Sequence, residues 1–271
     1  MAHKTLIGGT AYEIGGGKTL IGGTAYDIKG GKTMVGGTVR NISFGIQIGA
    51  LAVGSSVFMN VNGARKEFLV VHQGLPSSMY DNSCDGTWLL MKATCGCQVW
   101  DSTNNDYANS DIHAYLNGTF LGFLDSDIQS AIKQVKLPYQ KGTGSGGSVR
   151  SGSDGLSTKI FLLSGYEVGW TTDTYFKFPV DGACLDYFSG FSTYDSRRLA
   201  YSESTGKTSL SWFLRSPNKG NSTSVFIVDN DAEEEGYVSS TCKEHYYAYY
   251  TRPALILPSD TLVDVNFNVI A

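Results

Sequence analysis

The sequence predicts an α+β protein, a β-rich head carrying two short helices, preceded by a stem of short repeated strands. Three observations carry that expectation. Glycine is abundant (33 residues) and charge is sparse (17%), with 16 Tyr and 13 Phe. Such a composition suits strands, turns and aromatic-lined surfaces better than helical bundles, which lean on Ala, Leu, Glu and Lys. The first 45 residues repeat themselves. Beyond them, apolar runs bounded by turn residues alternate with two short stretches of helical periodicity.

The repeat is explicit. Lys4 to Ile14 reads almost identically to Lys18 to Ile28, and a degenerate third copy begins at Lys32, a period of 14 residues. Each copy holds two β-favouring pieces separated by a Gly pair, which permits a sharp reversal. Ile7, Ile14, Ile21, Ile28 and Val35 fall seven residues apart, a regularity that a solvated tether does not need. Short strands of this kind cannot bury a face alone. The expectation is therefore a stem over residues 1–48 that stacks with other copies, and a head over residues 49–271. The protein is expected to be a homo-oligomer, with a trimer favoured.

Within the head, Val57 to His72 reads as a hairpin turning at Asn62-Gly63. Asn109-Ser110-Asp111 is a helix start for Ile112, Tyr115 and Leu116. Asp125-Ser126-Asp127 starts a second helix, with Ile128, Ala131, Ile132 and Val135 on one face, ending before Pro138. Gly142 to Gly155 reads as an exposed, mobile loop. Lys159 to Leu163, Ser224 to Val228 and Ala254 to Leu257 read as buried strands.

Several function classes are disfavoured. The net charge is −4 and no basic stripe is present, so nucleic acid is not an expected partner. No segment is apolar enough for a signal peptide or a membrane span, so synthesis in a cytoplasm and no membrane partner are expected. Five cysteines, Cys84, Cys95, Cys97, Cys184 and Cys242, cannot all pair within one chain. The Cys95-Gly96-Cys97 pair has only Cys84 and His113 as further ligand candidates, without zinc-finger spacing, so no metal is expected there. No phosphate-binding loop, nucleophile elbow or zincin motif occurs. His72 lacks an evident nucleophile and reads as structural. The protein is expected not to be an enzyme, and an activity on cell-wall glycans ranks last because a convincing carboxylate pair is missing. The acidic run from Asp229 to Glu235 offers clustered oxygens for Ca2+ but lacks the EF-hand order. No cofactor is expected, and Ca2+ is the one ion kept open.

Separated motifs carry a resemblance. Phe68 to Ser77, Tyr80-Asp81, Cys84 to Leu90 with Trp88, Ala114 to Asn117, Phe120-Leu121 and Ile132 to Tyr139 occur in order, followed by Ser211-Trp212-Phe213-Leu214-Arg215-Ser216-Pro217 and Thr251-Arg252-Pro253. Over roughly residues 50 to 260 this resembles the DUF6273-like domain of unknown function common in Firmicutes and their phages. Phe213 stands where that family usually has a second Trp, and Thr251 where it usually has Val. The late Trp-x-Leu-Arg-Ser-Pro followed by Arg-Pro also resembles the C-type-lectin-like group, which includes formylglycine-generating-enzyme-like modules. The resemblance implies a C-type-lectin-like head in which Trp88, Trp212, Arg215 and Arg252 are structural. Formylglycine-generating enzymes use paired late cysteines. Cys242 stands alone there, so that oxidase activity is not implied.

The stem is similar to stems of phage-encoded proteins. It implies a virion component attached to other virion proteins through the stem, with the head binding a bacterial surface glycan or protein. The alternative is a structural virion protein, decorating a capsid or joining tail parts. Lectin-like relatives concentrate ligand contacts late in the chain. Together with the suitability of Tyr and short polar residues for recognition, that selects Asp229, Asn230, Asp231, Tyr246, Tyr247, Tyr249 and Tyr250 as ligand-binding candidates. Strict alternation places Tyr246 with Ala248 and Tyr250, and Tyr247 with Tyr249.

Overall fold

The computed structural model describes the side chains of residues 45–142, 148–170, 178–190, 195–202, 209–230 and 248–271, and the backbone of the stem strands and of residues 238–239.

Each stem repeat is one antiparallel hairpin. The pairs are β1 (His3–Ile7) with β2 (Thr10–Ile14), β3 (Lys18–Ile21) with β4 (Thr24–Asp27), and β5 (Gly31–Val35) with β6 (Thr38–Ile42). Ile7 faces Thr10, Ile21 faces Thr24 and Val35 faces Thr38, so each Gly pair is the whole connection. Two-residue links are among the commonest hairpin connections, and Gly is favoured in them for its conformational freedom. Each hairpin is a separate two-stranded sheet.

The head is sheet-rich with few helices. It begins before residue 49: β7 (Ile46–Gln47) pairs with β22 (Leu262–Val263), which also pairs with β23 (Val269–Ile270), and Ile48 is fully buried. A side chain at Gly45 would collide with Leu262 and with the Val263 carbonyl, so Gly keeps this entry close-packed.

The first large sheet has the order β16-β21-β10-β9-β8. Its strands are β8 (Ser56–Val61), β9 (Ala64–Gln73), β10 (Thr87–Met91), β16 (Ile160–Phe161) and β21 (Ala254–Leu257). Val61 faces Ala64 across the β8–β9 turn. Asn62 and Gly63 have φ of 52° and 72°, the geometry of a type I′ turn, which matches strand twist. β10 is buried along its whole length, as expected of a central strand covered on both faces.

The second sheet has the order β11-β20-β17-β18-β19. It contains β11 (Cys95–Val99), β17 (Trp212–Pro217), β18 (Val225–Val228), β19 (Val238–Ser239) and β20 (Ala248–Thr251). Short pairs complete the strands: β12 (Val135–Leu137) with β15 (Leu156–Thr158), and β13 (Tyr139–Gln140) with β14 (Val149–Arg150).

The helices are α1 (Asp111–Tyr115) and α2 (Ser126–Ala131). Ser110 caps α1, its hydroxyl accepting from the His113 amide. A π-helical turn at Leu116–Phe120 extends α1. Asn117 ties that turn to the first sheet, donating to the Ile160 carbonyl (2.9 Å) and accepting from the Lys159 and Ile160 amides (3.0 and 3.1 Å). α2 stops sooner than its periodicity suggests, because Val135 is drawn into β12. The segment read as one loop up to Gly155 contains β14 and a turn of 3-10 helix at Gly152–Asp154; residues 143–147 lie outside the described part.

Two apolar cores fill the head. One gathers Val57, Phe68, Leu89, Trp100, Tyr107, Leu116, Phe120 and Phe213. The other gathers Val71, Trp88, Leu90, Phe161, Leu163, Trp212, Leu214 and Phe226. Leu89 and Leu90, and Phe213 and Trp212, divide between them by strand alternation.

Candidate binding groove

The four structural-motif residues lie inside the head. Trp88 is fully buried and donates through Nε1 to the carbonyls of Gly74 (3.2 Å) and Cys84 (3.0 Å). Tyr80 and Phe161 meet it edge-on with ring centres 5.5 Å away. Trp212 donates to the Arg198 carbonyl (3.0 Å), and the Arg252 guanidinium lies 5.1 Å from its ring centre. Arg252 also donates to the Met91 carbonyl (2.9 Å). Burial away from water lowers the pKa of Arg252 to about 10.

Arg215 holds the densest polar network. Its guanidinium grips Glu167 at both oxygens (2.5 and 2.6 Å) and donates to the carbonyls of Pro138, Leu162 and Asp181. Tyr80 and the Ser164 amide donate to the same carboxylate. Beside it, Ser216 donates to Asp181, and the Asp181 carboxyl is pushed up to about 7, chiefly by burial. The Arg215–Glu167 pair is wholly buried, and its bonds to the Pro138, Leu162 and Asp181 carbonyls tie three distant segments together.

His72 Nδ1 lies 2.9 Å from Asp186 Oδ2 but outside hydrogen-bonding geometry. His113 Nε2 is 3.2 Å from the Thr158 hydroxyl. The Cys-Gly-Cys pair is split by a bulge at Gly96 (φ 49°): Cys95 faces Thr251 and Cys97 faces Tyr250, neighbours on β20 that point to opposite sides. Cys84 is buried, donates to the Lys136 carbonyl and has its thiol pKa raised to about 11, mainly by burial. Among the described residues no three His, Cys, Asp or Glu groups converge as a metal site.

The late candidates divide. Asp231, Tyr246 and Tyr247 lie outside the described residues. Asp229 and Asn230 sit at the end of β18, each an acceptor for the Ser211 hydroxyl (3.1 and 2.5 Å), and Asn230 also donates to the Ser209 carbonyl (2.7 Å). Tyr249 is half-buried, edge-on to Phe213 with ring centres 5.4 Å apart. Tyr250 is also half-buried, but it lines a groove.

That groove, about 480 Å³ in volume, opens where the β8–β9 turn, the α1 extension, β11 and β20 meet. Met91 and Phe120 are buried in its floor. Tyr115, Phe123 and Tyr250 form aromatic walls, and Asn62, Lys66, Thr94 and Ser202 add polar groups. Phe123 is 37% exposed. Thr94 is 5% exposed, and its hydroxyl has no hydrogen-bond partner among the described residues. An open aromatic cleft with a few polar groups is the usual form of a ligand site. Residues from five separate segments build it, and of the ligand-binding candidates read from the sequence it includes Tyr250 alone. The π-helical turn is the local irregularity that carries Phe120 here, and such turns recur at functional sites.

No helix among the described residues is long and apolar enough to cross a membrane. No curated protein and no solved structure matches the chain. A family model described as Domain of unknown function (DUF6273) matches residues 85–259, well over half the chain and all of the head from the turn before β10 to the end of β21, so the protein belongs to the DUF6273 family.

Proposed function

We propose that the protein is a phage virion adhesin whose head binds a carbohydrate of the bacterial surface in the groove beside Tyr250. The observation that carries this reading is the groove's composition. Sugar rings present apolar faces and a rim of hydroxyls, and the walls of Tyr115, Phe123 and Tyr250 with Thr94, Asn62 and Ser202 beside them match both. The unpartnered Thr94 hydroxyl is a polar group with bonding capacity left over. Catalysis has less support, since no carboxylate is among the described residues that line the groove.

The head is further proposed to be C-type-lectin-like. What supports this is a chain whose first head strand, β7, pairs with β22 close to the other end of the head, two small helices early in the head, and Trp212 to Pro217 forming a buried strand of the second sheet. The virion assignment rests on the similarity of the stem repeats to phage stems.

The test is a glycan array followed by calorimetry with the best-bound sugar. Tyr250→Ala is expected to weaken binding by about 1–3 kcal/mol, with the melting temperature nearly unchanged. Binding that survives both Tyr250→Ala and Phe123→Ser would refute the groove. A chain that binds no surface glycan but joins purified virion proteins would move the structural-component reading ahead.

A further inference from the structure

Two regions of this chain carry unused bonding capacity, and they are neighbours in sequence. In the stem, each hairpin is a two-stranded sheet, so among the described residues both outer edges of every hairpin are unpaired. An isolated two-stranded hairpin is at best marginally stable in water, and an open edge is a template for another strand. The charges along those edges are ordered. The first strands of the first two repeats carry Lys4 and Lys18, and the second strands carry Glu13 and Asp27 in the facing register positions. In these two hairpins one strand is therefore basic at the position where its partner is acidic, whereas the third sets Lys32 opposite Asn41.

The second region is the root of the head, where the stem chain enters. Among the described residues, eight large hydrophobic side chains are exposed. Four of them, Ile46 (50%), Val265 (59%), Phe267 (40%) and Ile270 (36%), belong to the small β7-β22-β23 sheet or to its turn. Half of these exposed apolar residues thus lie in or beside a sheet of six residues. Phe267 is held there against its preference. Its φ is 60°, the left-handed region that costs a residue with a Cβ roughly 1 kcal/mol or more. The turn is fastened around it: Asp264 accepts from the amides of Asn266 (2.8 Å) and Asn268 (2.9 Å), and Arg65 donates to the Asn266 carbonyl and to the Asn268 side chain. A strained backbone that holds an aromatic ring out to water is a built feature of the surface.

We propose that the stem and the root of the head form one self-association surface, whose occupant is a second copy of this chain. The first strand of each hairpin meets the second strand of the corresponding hairpin in the next copy, antiparallel and in the register used within the hairpin. Lys4 then faces Glu13 of the neighbouring copy, and Lys18 faces its Asp27. Such a contact joins different patches of the two copies, so it builds a ring when the rotation between copies closes, rather than a two-fold pair. The exposed side chains at the root continue the contact into the head. Opposite charges directly across a strand pair are favourable and like charges unfavourable, so the ordered edges choose both partner and register. This inference does not depend on what the groove binds.

The experiment uses the full chain in sedimentation equilibrium at about 0.05 M and about 0.5 M salt. The wild type is expected to form a closed oligomer that weakens in the higher salt. Two variants reverse one edge each, Lys4→Glu with Lys18→Glu, and Glu13→Lys with Asp27→Lys. Each alone is expected to associate about tenfold more weakly or worse. Mixed together they are expected to recover part of the association, since acidic and basic edges then meet between unlike copies, while a ring of three keeps one like-charged contact. Within each hairpin the like-charged pair persists in the mixture, so recovery separates contact between copies from hairpin folding. Phe267→Asp is expected to weaken association without changing the head's melting temperature by more than a few degrees. A monomeric wild type, association indifferent to both reversals, or reversed variants that fail to recover on mixing would each overturn the edge-to-edge register. Indifference to Phe267→Asp would remove the root of the head from the surface.

Discussion

The stem and the head solve the same problem, satisfying backbone and burying apolar surface, at different ranges. In the stem every pairing joins residues close in sequence. Lys4 to Ile14 already contains the strands and turn of its hairpin. In the head the decisive contacts are distant: Trp88 pairs with Ile256 across β10 and β21, and Arg215 grips Glu167 forty-eight residues away. Local order can repeat and add units without new inventions. Distant order needs a single core, and damage at one point reaches all of it.

The contrast can be broken most strongly at Arg215. Replacing it with Met leaves the Glu167 carboxylate buried without its cation, which is expected to destabilise the head by about 3–5 kcal/mol in denaturant unfolding. Replacing both, Arg215→Met with Glu167→Gln, is expected to return part of that loss. A head whose unfolding midpoint ignores the single change would mean that the network does not hold the core.

Asp181 gives the next effect, and it depends on pH. Its carboxyl is raised from 3.8 to about 7, mainly by burial and partly by Glu167, with Arg215 and Ser216 opposing. A native state that binds the proton more tightly than the unfolded chain gains stability when the group is protonated. The contribution is fully present below about pH 4 and is lost as pH rises through about 7, amounting to roughly 4 kcal/mol. Asp181→Asn is expected to flatten this part of the stability profile and to make the head relatively more stable at about pH 8. A profile unchanged by the substitution would count against a protonated Asp181.

Truncation tests the boundary itself. Removing residues 1–44 is expected to leave the head's melting temperature within a few degrees of the full chain. Removing residues 1–48 also takes β7 and the buried Ile48, and is expected to destabilise the head by about 2–4 kcal/mol. Equal effects of the two cuts would show that β7 is not part of the head. The smallest effect is local on both sides of the contrast. Ser110→Ala removes the cap of α1 and is expected to cost about 1 kcal/mol, measurable as a small shift in the unfolding midpoint.

What could be read from sequence follows the same division. The Asn62-Gly63 turn, the Ser110 cap and the strands at 225–228 and 254–257 depend on neighbours, and their residue types announce them. Val135 follows a helical period but joins Leu156–Thr158 across a strand pair, a tertiary preference that outweighs local pattern. The segment Thr87 to Met91 stood out only as a family motif, because a strand buried on both faces has no alternation to display. The Glu167 partner of Arg215 and the walls of the groove have no local signature, since each is assembled from segments dozens of residues apart. Tyr249 and Tyr250 look equivalent in sequence. The register sends one onto Phe213 and the other into the groove.

The attachment of β7 has a mechanical consequence. The stem enters the head through two residues paired to Leu262–Val263, and the next amides, Ile48 and Gly49, donate to the carbonyls of Thr261 and Ser259. Tension drawn along the stem therefore passes first into residues 259–263, near the C-terminal end, and not into either five-stranded sheet. In single-molecule pulling the first rupture is expected to be the small release of β7 from that segment, with the groove still intact. A tether of this kind lets the attachment of the stem yield and re-form under load before either five-stranded sheet is strained.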